Sequence, residues 1–218
     1  CKFRLCPRCA KVKMSVRVDR WQSAVVGQDP RAVRGVTLTI KNVSDLKAGV
    51  SRIRDCFNTL RHRKYYVDKI KGGLYGIEAK PDKEGKWNVH IHCLCIGSYI
   101  PQRKLSEDWK DITGDSMVTW VERKPPRLLL RYVLKHLVKG IEFDGVWTPG
   151  KLVEFVLALS DVRLIQAFGC FLGKAEEPKP FECPRCHFVL WRMIGLEGNV
   201  IFDQLEYALY DYRHNRSP

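Results

Sequence analysis

The sequence predicts an α+β fold: an antiparallel sheet with helices on one face, in a ferredoxin-like arrangement. Three observations predict it. "GVTLTIK" (35–41) and "DSMVTWVER" (115–123) alternate apolar and polar residues with the period of half-buried strands. "GGLYGIEAK" and "KWNVHIHCLCIG" are strand-like runs joined by the turn "PDKEG", a hairpin whose strands must be antiparallel. Segments between these runs carry apolar residues at helical spacing.

Taken in order, residues 1–30 form a Cys-rich knuckle, a basic helical segment and a turn at "GQDP". In the first strand Val36, Leu38 and Ile40 face one way and Thr37, Thr39 and Lys41 the other. Ser44 or Asp45 caps a helix reaching about residue 63. Leu46, Val50, Ile53, Phe57 and Leu60 are its apolar stripe, and Arg52, Arg54, Arg61, Arg63 and Lys64 supply charge on the rest. After the hairpin, "PQRKLSEDWKDIT" reads as a short helix and "DSMVTWVER" as a strand. Pro125–Pro126 opens a helix ending near Gly140. Residues 149–172 read as helical and apolar, "KAEEPKP" as a linker, and "FVLWRMIG" as a strand before a Tyr-rich tail. The core order is β-α-β-β-α-β-α. The organisation predicted is 1–30 knuckle and basic segment, 31–145 core domain, and 146–218 helical extension with a second knuckle.

The 218 residues, 45% of them hydrophobic, suffice for one sizeable core, and no apolar run reaches the ~20 residues of a membrane span. The start is basic and Cys-rich, without the apolar stretch of a signal peptide. Net charge is +14, and it is front-loaded: residues 1–72 hold 18 Lys/Arg against 5 Asp/Glu, residues 73–218 hold 20 against 19. This asymmetry points to a polyanion, nucleic acid before an acidic membrane.

Of nine cysteines, five lie in "CKFRLCPRC" and "FECPRCH", each containing CPRC. Repeated CxxC without a thioredoxin-like context reads as zinc, since each tight turn presents two thiolates. Cys6, Cys9, Cys183 and Cys186 make a four-thiolate set, with Cys1 a fifth candidate. Cys56 and Cys170 are expected to be core thiols.

In "KWNVHIHCLCIG", Trp87, Val89, Ile91, Cys93 and Cys95 share one face, and Asn88, His90, His92, Leu94 and Ile96 the other. Two imidazoles two residues apart can lean onto one cation. If the hairpin pairs Glu78 with His90 or His92, a carboxylate joins them, a donor set suited to a divalent ion gripping a phosphate. A one-residue slip would turn Glu78 away. In "RLLLRYVLKHLVKG", Leu129, Leu130, Val133, Leu134 and Leu137 fill one helix side. Tyr132 lies opposite them with Lys135, Lys139 and Leu128, where cations can stabilise a phenolate and hold a phosphate.

"TLTIKNV", "GIEA", "HIHCL" and "YVLK", in that order, resemble the motifs of plasmid-type rolling-circle replication initiators (Rep proteins) of the HUH endonuclease superfamily. "CKFRLCPRC" resembles the Cys-rich N-terminal motif of many of them. The resemblance covers roughly residues 1–140. It implies a ferredoxin- or RRM-like HUH fold with a Cys-rich zinc-binding element. It also implies that Tyr132 attacks a phosphodiester of single-stranded or hairpin origin DNA, forming a 5′-phosphotyrosine. His90, His92 and Glu78 then hold Mg²⁺ or Mn²⁺, Lys135 positions the phosphate or stabilises the tyrosinate, and Arg52, Arg54, Arg61, Arg63, Lys64 and Lys139 grip DNA. A host helicase or polymerase as partner, and the cytoplasm of a prokaryotic cell as location, follow from the same resemblance. Leu128 departs from the pattern: related initiators often carry a glutamate one turn before the tyrosine, used to activate water. An HUH transposase shares the HxH and tyrosine chemistry, and a non-catalytic zinc-ribbon DNA-binding module is the alternative of another class.

Overall fold

A computed structural model describes residues 7–135 and 146–176, with side chains for 16–134 and 146–176. Among them the fold is α+β, with six helices and one five-stranded antiparallel sheet in the order β4-β1-β3-β2-β5. The elements are α1 (Pro7–Val26), β1 (Val33–Thr39), α2 (Leu46–His62), α3 (Lys64–Lys69), β2 (Ile70–Pro81) and β3 (Trp87–Gly97). These are followed by α4 (Gln102–Thr113), β4 (Thr119–Glu122), α5 (Pro126–Lys135), α6 (Pro149–Leu159) and β5 (Ile165–Gly169). No described helix is long and apolar enough to cross a membrane.

The cap expected at Ser44 or Asp45 falls on Asp45, and Gly114 and Thr148 set two further helix boundaries. The Asp45 side chain accepts from the Ala48 backbone N–H at 3.0 Å and starts α2. Gly114, left-handed at φ 77°, ends α4. Thr148 caps α6, with Pro149 in its first turn. The helix α1 begins at Pro7, inside the first CPRC, rather than after a separate knuckle.

One face of the sheet carries Val36, Leu38, Ile40, Tyr75, Ile77, Trp87, Val89, Ile91, Cys93 and Cys95 beneath α2, α4 and α6. Two indole hydrogen bonds tie this layer together: Trp109 Nε1–H donates to the Thr39 carbonyl at 2.7 Å, and Trp87 Nε1–H to Glu154 Oε1 at 2.6 Å.

Three expectations are corrected. Helices lie on both faces, because α1 and α5 cover Val33, Leu74, Leu94 and Ile96 on the second face. The cause is visible in β3: from Ile91 to Ile96 every residue is buried, so the strand is apolar on both sides at that end. Residues 149–172 are not one helix; α6 stops at Leu159, and Ile165–Gly169 pairs with β2 as an edge strand. Its β-branched and aromatic residues suit a strand, and Gly169 with Gly173 breaks the helical continuation. Cys170 is exposed, so it is not a core thiol; Cys56 is half-buried and packs against the core, and Cys93 and Cys95 are buried in it, with sulfurs 3.1 Å apart.

A buried charge cluster ties α3 to α4. Asp108, 8% exposed, accepts from Tyr66 Oη at 2.8 Å, Lys104 Nζ at 2.7 Å and Arg63 Nη1 at 3.2 Å. Burial pushes the Asp108 carboxyl up, but the Lys104 and Tyr66 hydrogen bonds and the Arg63 charge outweigh it and hold it below the ordinary carboxylate range. Asp108→Ala should cost about 3 kcal/mol at neutral pH, because the Tyr66 hydroxyl and two cations lose their shared acceptor. A depressed folded value means that this contribution is full above the unfolded pKa of about 3.9 and is lost as pH falls through the folded value. Thermal melts of both proteins across pH should therefore show a gap that closes only below about pH 4. A gap that closes near neutrality overturns this account.

Candidate active site on the open half of the sheet

The helices α1 and α5 cover only one end of the second face. The register fixes what lies at the other end. β1 pairs with β3 so that Thr37 faces His92 and Thr39 faces His90, and β2 pairs with β3 so that Glu78 faces His90 and Gly76 faces His92. Glu78 is therefore on the histidine side, in the first of the two registers considered. At the next level inward, Gly35 pairs with both Leu94 and Glu122. A Cβ on Gly35 would stand 2.7 Å from Leu129 Cδ1 and 2.8 Å from Glu122 Cγ. Glycine there lets α5 lie close to the sheet and carry Tyr132 toward the histidines.

The side chains meet as follows. Glu78 Oε2 is 2.8 Å from His92 Nε2, and the His92 ring stands edge-on to the Tyr132 ring at 5.4 Å between centroids. The His90 and His92 rings are 6.0 Å apart. Thr39 Oγ1 lies 2.8 Å from His90 Nδ1, and Thr37 Oγ1 lies 3.2 Å from His92 Nδ1. Each imidazole is thus oriented through Nδ1 by a hydroxyl on β1, which turns Nε2 to the ligand side. The Oδ1 of Asn88, two residues before His90 on the same face, is buried with no hydrogen-bond partner.

Two charged residues of this site escaped the sequence reading, as did the roles of Thr37 and Thr39. Lys124, in the β4–α5 connection, holds its ammonium 4.6 Å from the centre of the Tyr132 ring and 2.6 Å from Glu122 Oε2. Glu122 points inward from β4, its side chain 18% exposed. Burial pushes the Tyr132 phenol above its ordinary value. The Glu122 carboxylate pushes the same way, Lys124 opposes it, and Glu78 adds a smaller upward push. The available signal was the alternation of "TWVERK", which sets Glu122 on the face opposite Val121. The helical wheel placed Tyr132 opposite the apolar stripe, and the stripe is indeed buried: Leu129, Leu130, Val133 and Leu134 are at most 1% exposed. Tyr132 itself is half-buried because it leans onto His92, while Leu128 is 56% exposed.

Other expected site residues are not brought here. Arg52, Arg54 and Arg61 of α2, Arg63 at its junction with α3, and Lys64 of α3 lie on helices that cover the opposite face. Arg52 binds Asp115 at 2.7 Å, Arg63 binds Asp108 and Asp111, and Arg61 binds Asn58 and stands 5.7 Å over the Phe168 ring. Lys135 ends α5 one turn after Tyr132, and its side chain lies outside the described residues, as do Lys139, Cys1, Cys6, Cys183 and Cys186. Cys9 falls in the first turns of α1, its side chain likewise outside them.

Two imidazoles and a carboxylate are the right donors for a divalent cation. As placed, no three His, Cys, Asp or Glu side chains among the described residues stand close enough to share one. Glu78 and His92 already meet at 2.8 Å, whereas the His90 ring stands 6.0 Å from the His92 ring; a neutral His92 that donates Nε2–H to Glu78 accepts from the Thr37 hydroxyl through Nδ1. A cation taking Nε2 needs that proton on Nδ1, donating to Thr37 Oγ1. A hydroxyl serves either tautomer, so the chemistry of the donor set suits a cation.

The Tyr132 phenol should titrate above the ordinary value of about 10. Glu122→Gln should lower its midpoint and Lys124→Met should raise it, as read by NMR of ring-labelled tyrosine. An unchanged midpoint in Glu122→Gln would show that this carboxylate does not act on the phenol.

The sequence was compared with known proteins. No family model matches it, and no solved structure does. A curated protein of Staphylococcus aureus named "Protein rep" is 28% identical over 137 residues, 56% of this chain and 60% of that protein. The chain thus spans about 60% of the length of the curated relative that it matches.

Proposed function

We propose that this chain is a Rep-type replication initiator that nicks and rejoins single-stranded DNA through Tyr132. One observation carries the reading: His92 touches Tyr132 edge-on while its Nε2 lies 2.8 Å from Glu78, joining the tyrosine to the candidate cation donors on one open sheet face. The likeness to a Staphylococcus aureus protein named rep supports the replication role.

In the proposed reaction the Tyr132 phenol loses its proton and Oη bonds to the scissile phosphorus. The bond from phosphorus to the 3′-oxygen breaks, and that oxygen takes up a proton as a 3′-OH. The DNA is left as a 5′-phosphotyrosine. The phosphodiester energy is retained, so a 3′-OH can reverse the step without ATP. His90, His92 and Glu78 would hold Mg²⁺ or Mn²⁺, which when bound would supply a positive charge to polarise the phosphate. Thr37 and Thr39 keep the imidazoles aligned. Lys124, over the phenol ring, offsets developing phenolate charge and can exchange Glu122 for a phosphate oxygen. Lys135 is a second cation for that role. With Leu128 where related initiators carry glutamate, Glu122 and Glu78 are the carboxylates whose charge acts on Tyr132. Cys6, Cys9, Cys183 and Cys186 are assigned to structural zinc, independent of the catalytic cation.

A randomised pool of end-labelled single-stranded oligonucleotides with Mn²⁺ should yield a covalent adduct that survives denaturing electrophoresis. Tyr132→Phe should abolish it, and absence of adduct from the unaltered protein overturns the reading. His90→Ala should lose Mn²⁺, followed by electron paramagnetic resonance, and retain the zinc measured by native mass spectrometry. Loss of zinc in that variant would contradict two separate metal sites. Affinity for single strands should fall at least about tenfold between low and physiological salt, because phosphate contacts release counterions. A flat response contradicts the proposed binding mode.

A further inference from the structure

Trp120 has no role in the architecture. It lies on β4 and belongs to neither apolar cluster. It is 57% exposed, whereas Trp87 and Trp109 are fully buried and Trp21 and Trp147 pack against core residues. An indole is among the largest apolar surfaces a residue can leave in water, and leaving it there points to a partner.

Its position says which partner. Trp120 pairs with Thr37, Thr37 with His92, and His92 with Gly76, so these residues form one row across the sheet on the same face. At a strand spacing of ~4.8 Å, Trp120 lies about 10 Å from His92 at the backbone. It stands at the border of the open half, two residues before Glu122 and four before Lys124, which contacts the Tyr132 ring. The surroundings are cationic: residues 117–135 hold five Lys/Arg (Arg123, Lys124, Arg127, Arg131, Lys135) against Glu122 alone. Arg123, Arg127 and Arg131 are exposed. An exposed aromatic plane beside a row of cations is the arrangement that binds a single nucleic-acid strand, cations tracking the phosphates and the ring taking a base. A protein partner would meet the same cations unneutralised.

We infer that Trp120 is a stacking platform for an unpaired base flanking the phosphate held at His92 and Tyr132. This rests on the proposed nicking function and adds a positioning residue to it. Stacking fixes the register of the strand, so that one phosphate, rather than its neighbours, comes to the phenol. Because every base has a π-face, the platform adds affinity with little sequence preference.

Two probes separate base from backbone: a single-stranded thymidine oligomer, and an oligomer of equal length whose sugars carry no bases. The unaltered protein should bind the first more tightly, with quenched tryptophan fluorescence. Trp120→Ala should weaken thymidine binding about tenfold and leave the baseless oligomer unaffected, and Trp120→Phe should keep most of the preference. Far-UV circular dichroism and thermal melts of both variants check that the fold is intact. Equal preference for bases in Trp120→Ala and the unaltered protein overturns the inference, as does equal weakening on both probes, which marks a general loss of the surface. The covalent-adduct assay reads the underlying function separately. Adduct formation with Trp120-independent base preference removes the platform alone. Trp120-dependent preference without any adduct removes the nicking reading and leaves a single-strand binding surface.

Discussion

The antiparallel register of β3 with its two neighbours is the constraint on which everything else here depends. Side chains alternate strictly along a strand, so the pairing of His90 with Thr39 and Glu78, and of His92 with Thr37, is one geometric decision with several consequences. It puts both imidazoles beside the hydroxyls that orient them, sets the carboxylate on the correct side, and aims Cys93 and Cys95 into the opposite core. Slipping either neighbour by one residue would bury its polar partners of the histidines beneath α2 and α4 and expose apolar side chains instead. The core therefore holds the register, and the register builds the site.

The second dependence is on incomplete cover. The strands β2 and β3 are apolar on both faces at one end and polar on the second face at the other. The helices α1 and α5 follow that division, closing over Val33, Leu74, Leu94 and Ile96 and reaching His92 only through Tyr132. Gly35 allows the close approach of α5, and the four buried apolar residues of that helix hold it there. Tyr132 sits at the boundary between the covered and open halves, which explains how a residue on the flank of an apolar stripe comes to touch His92. Docking a helix on half of a sheet face thus brings Tyr132 beside the histidines at the helix's edge.

Charge is divided between the two faces by function in the fold. On the face away from the site, Arg52 of α2 and Arg63, between α2 and α3, bind Asp115, Asp108 and Asp111 and join these helices to α4 and the turn that follows it, while Arg61 binds Asn58 within α2. Around the site the cations lie in the β4–α5 connection and on α5, and Lys124 touches the tyrosine directly. The abundance of arginine in the first third of the chain therefore says less about a ligand than its placement does. Several of those charges are spent on packing α2, α3 and α4, and the segment that surrounds the tyrosine is basic on its own account.

Much of this protein could be read from residue order alone. Two-residue alternation in "GVTLTIK" and "KWNVHIHCLCIG" identified the strands and their faces, and the cap at Ser44 or Asp45 and the Pro125–Pro126 pair marked helix starts, because these signals act within a few residues. The hairpin made Glu78 a partner of the histidines once its register was supposed. Tertiary structure decided the rest. Which strand lies on the other side of β3 depends on packing between segments some fifty residues apart, so the roles of Thr37 and Thr39 stayed hidden although their face was known. The edge strand Ile165–Gly169 forms because β2 offers it an unpaired edge, a condition absent from its own apolar sequence. Lys124 and Glu122 reach Tyr132 only when β4 joins β1 and α5 folds back over Gly35. Local periodicity determines which way a side chain faces; what it then meets depends on contacts that the chain closes at long range.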